Sequence, residues 1–327
     1  LLDLRYHGVI LYGDMRVVVA KPRGFCAGVE RAIEIVEMAL EMYGPPIYVR
    51  HAIVHNKRVV DSLRQKGAVF VEDLGEINDP EARVIFSAHG VSPAVIDEAK
   101  RRGFQIVDAV CPLVTKVHNE VRHYSEMGYT IILVGHRDHV EVIGTKGEAP
   151  DSVMVVESVS EALSVNVPDP EKVAYVTQTT LSVDDTKEIV AALERRFPKI
   201  AKPSKLDICY ATQNRQDAVK KLAEISDVIF IVGSPESSNS NRLVEVAKSC
   251  GVRKAYLIED TEGLGGVETL ERDMTVGISS GASTPEVIIE ELLAKLKDLG
   301  ATTFEEFSLK EESTKFPFPH SLEFSTG

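Results

Sequence analysis

The sequence predicts an α/β protein of three similar modules with mostly parallel sheets, set pseudo-threefold around one central cavity. Three observations predict it. Short apolar runs of strand length alternate with helix-period segments along the whole chain. An apolar run, a cysteine and a helical segment follow one another three times, an internal repeat of arrangement without repeat of sequence. Two polar corners then follow each cysteine at nearly constant intervals.

The first cysteine corner is "PRGFCAG" (22–28), behind "RVVVA" and ahead of "VERAIEIVEMALEMYG". After Cys26 come "IYVR", a corner with His55 in "VRHAIVHNK", the run "VIFSA", and a second corner with His89 in "IFSAHGVSP". Cys111 opens the next module in "IVDAVCPLVTKVHNEVRHY". It is followed by "IILVG" with His139 in "VGHRDHVEV", by "VMVVE", and by "VAYVT" with Thr179 in "VTQTTLSVDD". Cys209, in "LDICYATQNRQDAVKKLAE", opens the third. There "VIFIVG" leads to Ser237 in "VGSPESSNSNR", and "AYLIE" and "MTVGIS" lead to Ser283 in "GISSGASTP". The cysteines are 85 and 98 residues apart, and the first polar corner follows 29, 28 and 28 residues later. The expected modules are therefore 15–110, 111–206 and 207–327, the last carrying a C-terminal tail. Residues 1–14 show no such pattern, and Met15 opens a clean strand, so 1–14 are expected to be an upstream or non-native extension.

Composition bounds the function. A chain of 327 residues with 44% hydrophobic and 27% charged residues reads as an ordinary soluble protein of two or three domains. Its longest apolar runs, such as "VIFIV" (228–232), fall far short of a membrane span, and no secretory leader is expected. A formal charge of −13 argues against nucleic acid and anionic membrane surfaces as partners. Four cysteines without a CxxC pair do not make a disulfide framework, which places the chain in the cytoplasm. No phosphate-binding GxxxxGK[ST] loop and no GxSxG elbow are present, and "GLGGVE" (263–268) has no strand before it.

In open α/β sheets ligands bind outside the carboxyl ends of strands, near helix N-termini. Three modules, each offering one cysteine and two polar loops there, can face one cavity. A helix N-terminus favours thiolate over thiol, and thiolates select zinc or iron–sulfur clusters. A closed site wants four protein ligands, so three cysteines leave one metal position open for substrate. His55, His89, His139 and the "ESSNS" loop can donate hydrogen bonds to phosphate oxygens, as can loop amides. Cys250, near a helix end before Gly251, is expected to be structural. Two rival readings stay open on the residues alone. "HAIVH" (His51, His55) and "HRDHVE" (His136, His139, Glu141) have metal-ligand spacings, which allows a metallohydrolase acting on a phosphorylated small molecule. An iron–sulfur sensor is the other, although no DNA-binding helix pair is recognisable.

Together, "PRGFCAGVERAI", "YVRHAIVHN", "FSAHGVSP", "DAVCPLVTKVH", "TQTTLSVDDT", "DICYATQNRQ", "GSPESSNSNRL" and "SGASTPE" resemble the LytB family of 4-hydroxy-3-methylbut-2-enyl diphosphate reductases, over roughly residues 15–300. The resemblance implies an oxygen-sensitive iron–sulfur enzyme at the end of the non-mevalonate isoprenoid pathway. Such an enzyme removes an allylic hydroxyl with two electrons and two protons, giving isopentenyl and dimethylallyl diphosphate. It implies three α/β modules around a [4Fe–4S] cluster held by Cys26, Cys111 and Cys209, with one open iron whose loss on oxidation leaves [3Fe–4S]. It implies a diphosphate pocket of His55, His89, His139, Ser237, Ser238, Asn239 and Ser283, with Glu141 as proton-relay carboxylate and Thr179 as its hydroxyl partner. A ferredoxin- or flavodoxin-type protein is the implied electron donor. Two departures stand out: His-Val-Glu at 139–141 where the family has His-Pro-Glu, which implies a less rigid loop, and "ISSGAS" where Thr-Ala is expected before the glycine. Neither removes a named functional group. The chemistry agrees, since no side chain supplies electrons at this level and a single carboxyl beside a hydroxyl can deliver the proton.

Overall fold

The computed structural model of the chain describes residues 15–266, 270, 273–319 and 322; the extension expected at 1–14 lies outside them. Strand β1 (Met15–Lys21) leads through the first cysteine corner into helix α1 (Ala27–Tyr43). There follow β2 (Ile47–Arg50), α2 (Lys57–Gln65), β3 (Ala68–Val71), β4 (Arg83–Phe86), α3 (Pro93–Arg101) and β5 (Gln105–Asp108). The second set is α4 (Pro112–Glu126), β6 (Thr130–Val134), α5 (Val140–Lys146), β7 (Val153–Val156), α6 (Val159–Ser164), β8 (Val173–Thr177) and α7 (Val183–Arg196). The third is α8 (Tyr210–Ala223), β9 (Val228–Val232), α9 (Ser238–Ser249), β10 (Lys254–Ile258), β11 (Thr275–Ser280), α10 (Glu286–Asp298) and β12 (Ala301–Ser308).

The strands form three sheets, ordered β3-β2-β4-β5, β7-β6-β8 and β10-β9-β11-β1-β12, and every ladder is parallel. Parallel sheets are buried on both faces, which is why their strands read as unbroken Val/Ile runs. Alternate residues feed opposite cores: Val228 and Phe230 enter one cluster, Ile229 and Ile231 another, and the other two sheets split in the same way. Helix starts follow local chemistry. Asn56, Ser182 and Ser237 cap α2, α7 and α9 through their side-chain oxygens, and proline opens α3 and α4 where its missing N–H costs nothing. No helix among the described residues is long and apolar enough to cross a membrane.

The strand order is the same in each set. The first strand after the cysteine helix lies between the second and the third, so the chain direction switches between first and third strands. Ligand sites form at such switch points.

Two expectations need correction. The strand before a cysteine closes the preceding sheet and does not open a new one. β1 pairs with β11 and β12 and not with β2–β5, so the expected module 15–110 loses its first strand to the third sheet. Likewise β5 closes on β4. No strand precedes Cys209: only Ala201 bridges to Ala174 of β8. The ladder stops there because Pro203 has no N–H, and because the Asp207 carboxylate accepts Thr177 N–H at 2.8 Å in place of a backbone carbonyl. Beyond β12 the tail returns to the first set, where Leu322 is fully buried with Phe318 against the α1 core.

Candidate functional site

Cys26, Cys111 and Cys209 are the N-cap residues of α1, α4 and α8, each with extended backbone. Their positions are fixed in rotation. Cys26 N–H donates to Ala282 O (3.1 Å), Cys111 N–H to Ala88 O (3.0 Å) and Cys209 N–H to Thr179 O (3.0 Å). Each cysteine is thus pinned to the second polar corner of the preceding sheet. That is the structural cause of the repeat read from the sequence.

The twelve residues that the family resemblance implies for the cluster, the diphosphate pocket and the proton relay line one cavity at the meeting of the three sheets. The sulfur end closes around Gly28. A Cβ built there would fall 2.6 Å from Cys111 Sγ and 3.9 Å from Cys26 Sγ, so only glycine leaves the space between them open. Cys209 Sγ lies 3.1 Å from Thr212 Oγ1 and accepts Thr212 N–H at 3.4 Å. The helix N-termini were expected to lower the thiols. Instead, burial and then the neighbouring Cys26 sulfur push Cys111 up to about 12 and Cys209 up to about 11. Desolvation and crowding of like groups outweigh the dipole. Thiols arranged this way favour thiolate only with a cationic partner among them. Among the described residues no three His, Cys, Asp or Glu groups are close enough to hold a single metal ion. Three thiols, two of them flanking the gap over Gly28, are a donor set that suits a thiolate-bound metal or iron–sulfur centre.

Three histidines line the same cavity. His55 and His89 have ring centroids 4.3 Å apart, and His139 is 5.6 and 6.0 Å from them. Burial first, then neighbouring histidines, hold His89 well below the usual imidazole range and His139 at about 4. Burial also lowers His55, offset in part by Glu236. Several polar atoms here are buried without a partner: His55 Nε2 and both side-chain atoms of Asn239. Unpaired buried donors are costly and mark a place for a ligand. Ser237 caps α9, Ser238 Oγ accepts from Thr180 Oγ1 (3.1 Å) and Gln178 Nε2 (3.3 Å), and Ser283 Oγ donates to His55 O (3.0 Å).

Glu141 sits in the first turn of α5, capped by His139 Nδ1, which accepts Glu141 N–H at 3.2 Å. This turn forms with Val140 where proline was expected. The Glu141 carboxylate, 3% exposed, accepts from Thr179 N–H (2.7 Å) and Thr179 Oγ1 (2.9 Å). Burial raises its proton affinity, and the two Thr179 bonds act against that.

The rival metal-ligand spacings do not assemble. His51 Nδ1 meets Glu72 at the surface (2.6 Å), and His136 Nε2 meets Arg242 (2.9 Å). Cys250 is exposed at the C-terminal end of α9, away from the cavity. Sequence reading missed Gly28, Thr180 and Thr212, which also line the cavity. Gly28 carried a signal, a helix-disfavouring residue two places after a cysteine.

Comparison with known proteins covers nearly the whole chain. The family model described as LytB protein matches residues 17–297. The 4-hydroxy-3-methylbut-2-enyl diphosphate reductase of Aromatoleum aromaticum is 54% identical over 310 residues, 95% of this chain and 98% of that one. The enzyme of the same name from Neisseria meningitidis is 55% identical over 310 residues, 94% of this chain and 95% of its own. Among solved structures, the E-1-hydroxy-2-methyl-but-2-enyl-4-diphosphate reductase of Plasmodium falciparum superposes with a TM-score of 0.88 at 39% identity, over 94% of this chain and 97% of that one.

Proposed function

This chain belongs to the LytB family, and on that premise we propose that it is a 4-hydroxy-3-methylbut-2-enyl diphosphate reductase. It removes the allylic hydroxyl of its substrate with two electrons and two protons, giving isopentenyl and dimethylallyl diphosphate in the last step of the non-mevalonate pathway. The observation that carries the reading is the convergence of three capping cysteines, three histidines and the Glu141–Thr179 pair on one cavity.

We assign Cys26, Cys111 and Cys209 as ligands of a [4Fe–4S] cluster, which with three thiolates keeps one iron free of protein ligands and turns to [3Fe–4S] if that iron is lost. When bound, the cluster supplies the electrons and the Lewis acidity that no side chain offers. The chain's own residues do the rest. His55, His89 and His139 offer ring N–H donors to a diphosphate. Ser237, Ser238, Asn239 and Ser283 add neutral donors, so an anion is held without a fixed cation in an acidic protein. Thr179 orients the Glu141 carboxyl, whose raised proton affinity suits a general acid for the departing oxygen. A ferredoxin- or flavodoxin-type donor supplies electrons from outside, and we place the reaction in the cytoplasm, where thiols stay reduced.

Anaerobic purification tests the assignment. The protein should be brown, with iron and sulfide bound. Cys26→Ser, Cys111→Ser and Cys209→Ser should each lose colour and iron, while Cys250→Ser keeps both. Full iron in Cys111→Ser protein, or loss in Cys250→Ser alone, overturns the three-ligand set.

A further inference from the structure

Behind the three cysteines lie three basic side chains that belong to no part of the cavity. Arg31 is five residues after Cys26 on α1, Lys116 five after Cys111 on α4, and Arg215 six after Cys209 on α8. Each reaches the segment that leads into the next cysteine. Arg31 Nη1 donates to Val110 O (3.1 Å), the residue before Cys111. Lys116 Nζ donates to Asp207 Oδ1 and to Lys205 O (both 2.6 Å), just before Cys209. Arg215 Nη2 donates to Gly24 O (2.8 Å), two residues before Cys26. The ring closes on itself.

Two of these cations, and the carboxylate that pairs with the third, are held away from water. Arg215 is fully buried and Arg31 nearly so, while the Asp207 side chain is 0% exposed. The C-terminal tail covers two of them from outside: Glu312 accepts from Arg215 Nη1 (3.1 Å), and Pro317 O accepts from Arg31 Nε (2.6 Å). Buried cations are retained only with partners, and here each cation has at least one backbone carbonyl on the approach to a cysteine among them.

We propose that Arg31, Lys116 and Arg215 are positioning residues for the three-thiol site, each tying the helix of one cysteine to the approach of the next. The inference rests on the cluster reading above. Each brace has two effects. It fixes the separation of two sulfurs, and so sets how firmly a shared cluster is retained. It also places a cation near an anionic thiolate site in a medium of low dielectric, where it offsets the carboxylates paired with it (Asp207 and Glu120 with Lys116, Glu312 with Arg215) and so favours the reduced state.

Lys116 is the least enclosed, with a side chain 26% exposed, so its variants are the safest to fold. In anaerobically purified holoprotein, Lys116→Met should lose iron to a chelator about tenfold faster than wild type, and its reduction potential should move to more negative values. Lys116→Arg, which keeps the charge and reach, should restore both. Arg58→Met removes a surface pair with Glu291 and should change neither. A Lys116→Met protein with wild-type iron retention and potential overturns the inference. If that variant does not fold, Arg31→Lys serves in its place. Lysine lacks the guanidinium fork whose Nε and Nη1 reach Pro317 O and Val110 O separately, so iron should be lost faster at nearly unchanged potential; wild-type retention there equally overturns the brace. Wild-type protein that holds no iron and sulfide overturns the cluster reading and this inference with it.

Discussion

At the residue scale the most informative group is Glu141. Its two oxygens take both donors of Thr179, so the carboxyl is oriented before substrate arrives. A glutamine has nearly the same shape and keeps an oxygen for Thr179 N–H, but it cannot give up a proton. Glu141→Gln is therefore expected to assemble a normal cluster, bind substrate and accept an electron, yet lose turnover at least about a hundredfold. Near-normal product formation by Glu141→Gln protein with full iron would move the proton source elsewhere, to Thr179 or a bound water. Its place two residues after His139 was legible in the sequence, but its role came from the family resemblance, since the spacing alone also fitted a metal ligand. The thiol acidity was not legible. A helix N-terminus can be read from sequence, whereas the desolvation that reverses its effect depends on how three distant segments pack.

At the scale of elements, the first turn of α1 shows how helix propensity and site geometry compete. Alanine is preferred over glycine in a helix by up to about 1 kcal/mol, so Gly28→Ala is expected to help α1 in isolation. The added carbon would sit 2.6 Å from Cys111 Sγ, in the space between two sulfurs. Gly28→Ala protein should therefore bind less than half the wild-type iron, and its metal-free form should not gain the full helix preference, because the new carbon must displace the Cys111 side chain. Full iron occupancy would mean that the sulfur cradle yields easily and that Gly28 is there for another reason. The ten apolar runs read from the sequence all became strands, because each is a Val/Ile-rich core segment. Two strands were missed. "AVFV" is short and flanked by Gly67, and "ATTFEEFS" carries its charges along the edge of a sheet. The strand expected before Cys209 does not form, because a side chain, Asp207, replaces its ladder partner.

At the scale of the whole molecule, the cavity exists only because three sheets share it, and its charge balance depends on all of them. His55 and His89 come from the first set and His139 from the second, while Asn239 and Ser283 come from the third. The sequence predicted this meeting from the cadence alone. It did not reveal that each cysteine is bound to the preceding sheet, since that closure is made by backbone groups common to every residue. The meeting has a consequence for protons. Burial lowers all three imidazoles, with neighbouring histidines adding to it at His89 and at His139, which falls to about 4, so the free protein presents neutral rings near pH 7. A diphosphate among them favours the imidazolium form and raises those values on binding. Binding must then take up protons, and by linkage affinity rises as pH falls through the range where the bound histidines titrate. Calorimetry of inorganic pyrophosphate binding near pH 7, in two buffers of different ionisation heat and corrected for the protonation of pyrophosphate itself, should report net uptake. His55→Ala should reduce that uptake and weaken binding by roughly tenfold to a hundredfold, the equivalent of about 1.5–3 kcal/mol for one charge-assisted hydrogen bond, while leaving the bound iron unchanged. Net proton release, or a His55→Ala protein with wild-type affinity, would remove the histidines from the diphosphate pocket and leave the Ser237–Asn239 turn to hold the anion alone.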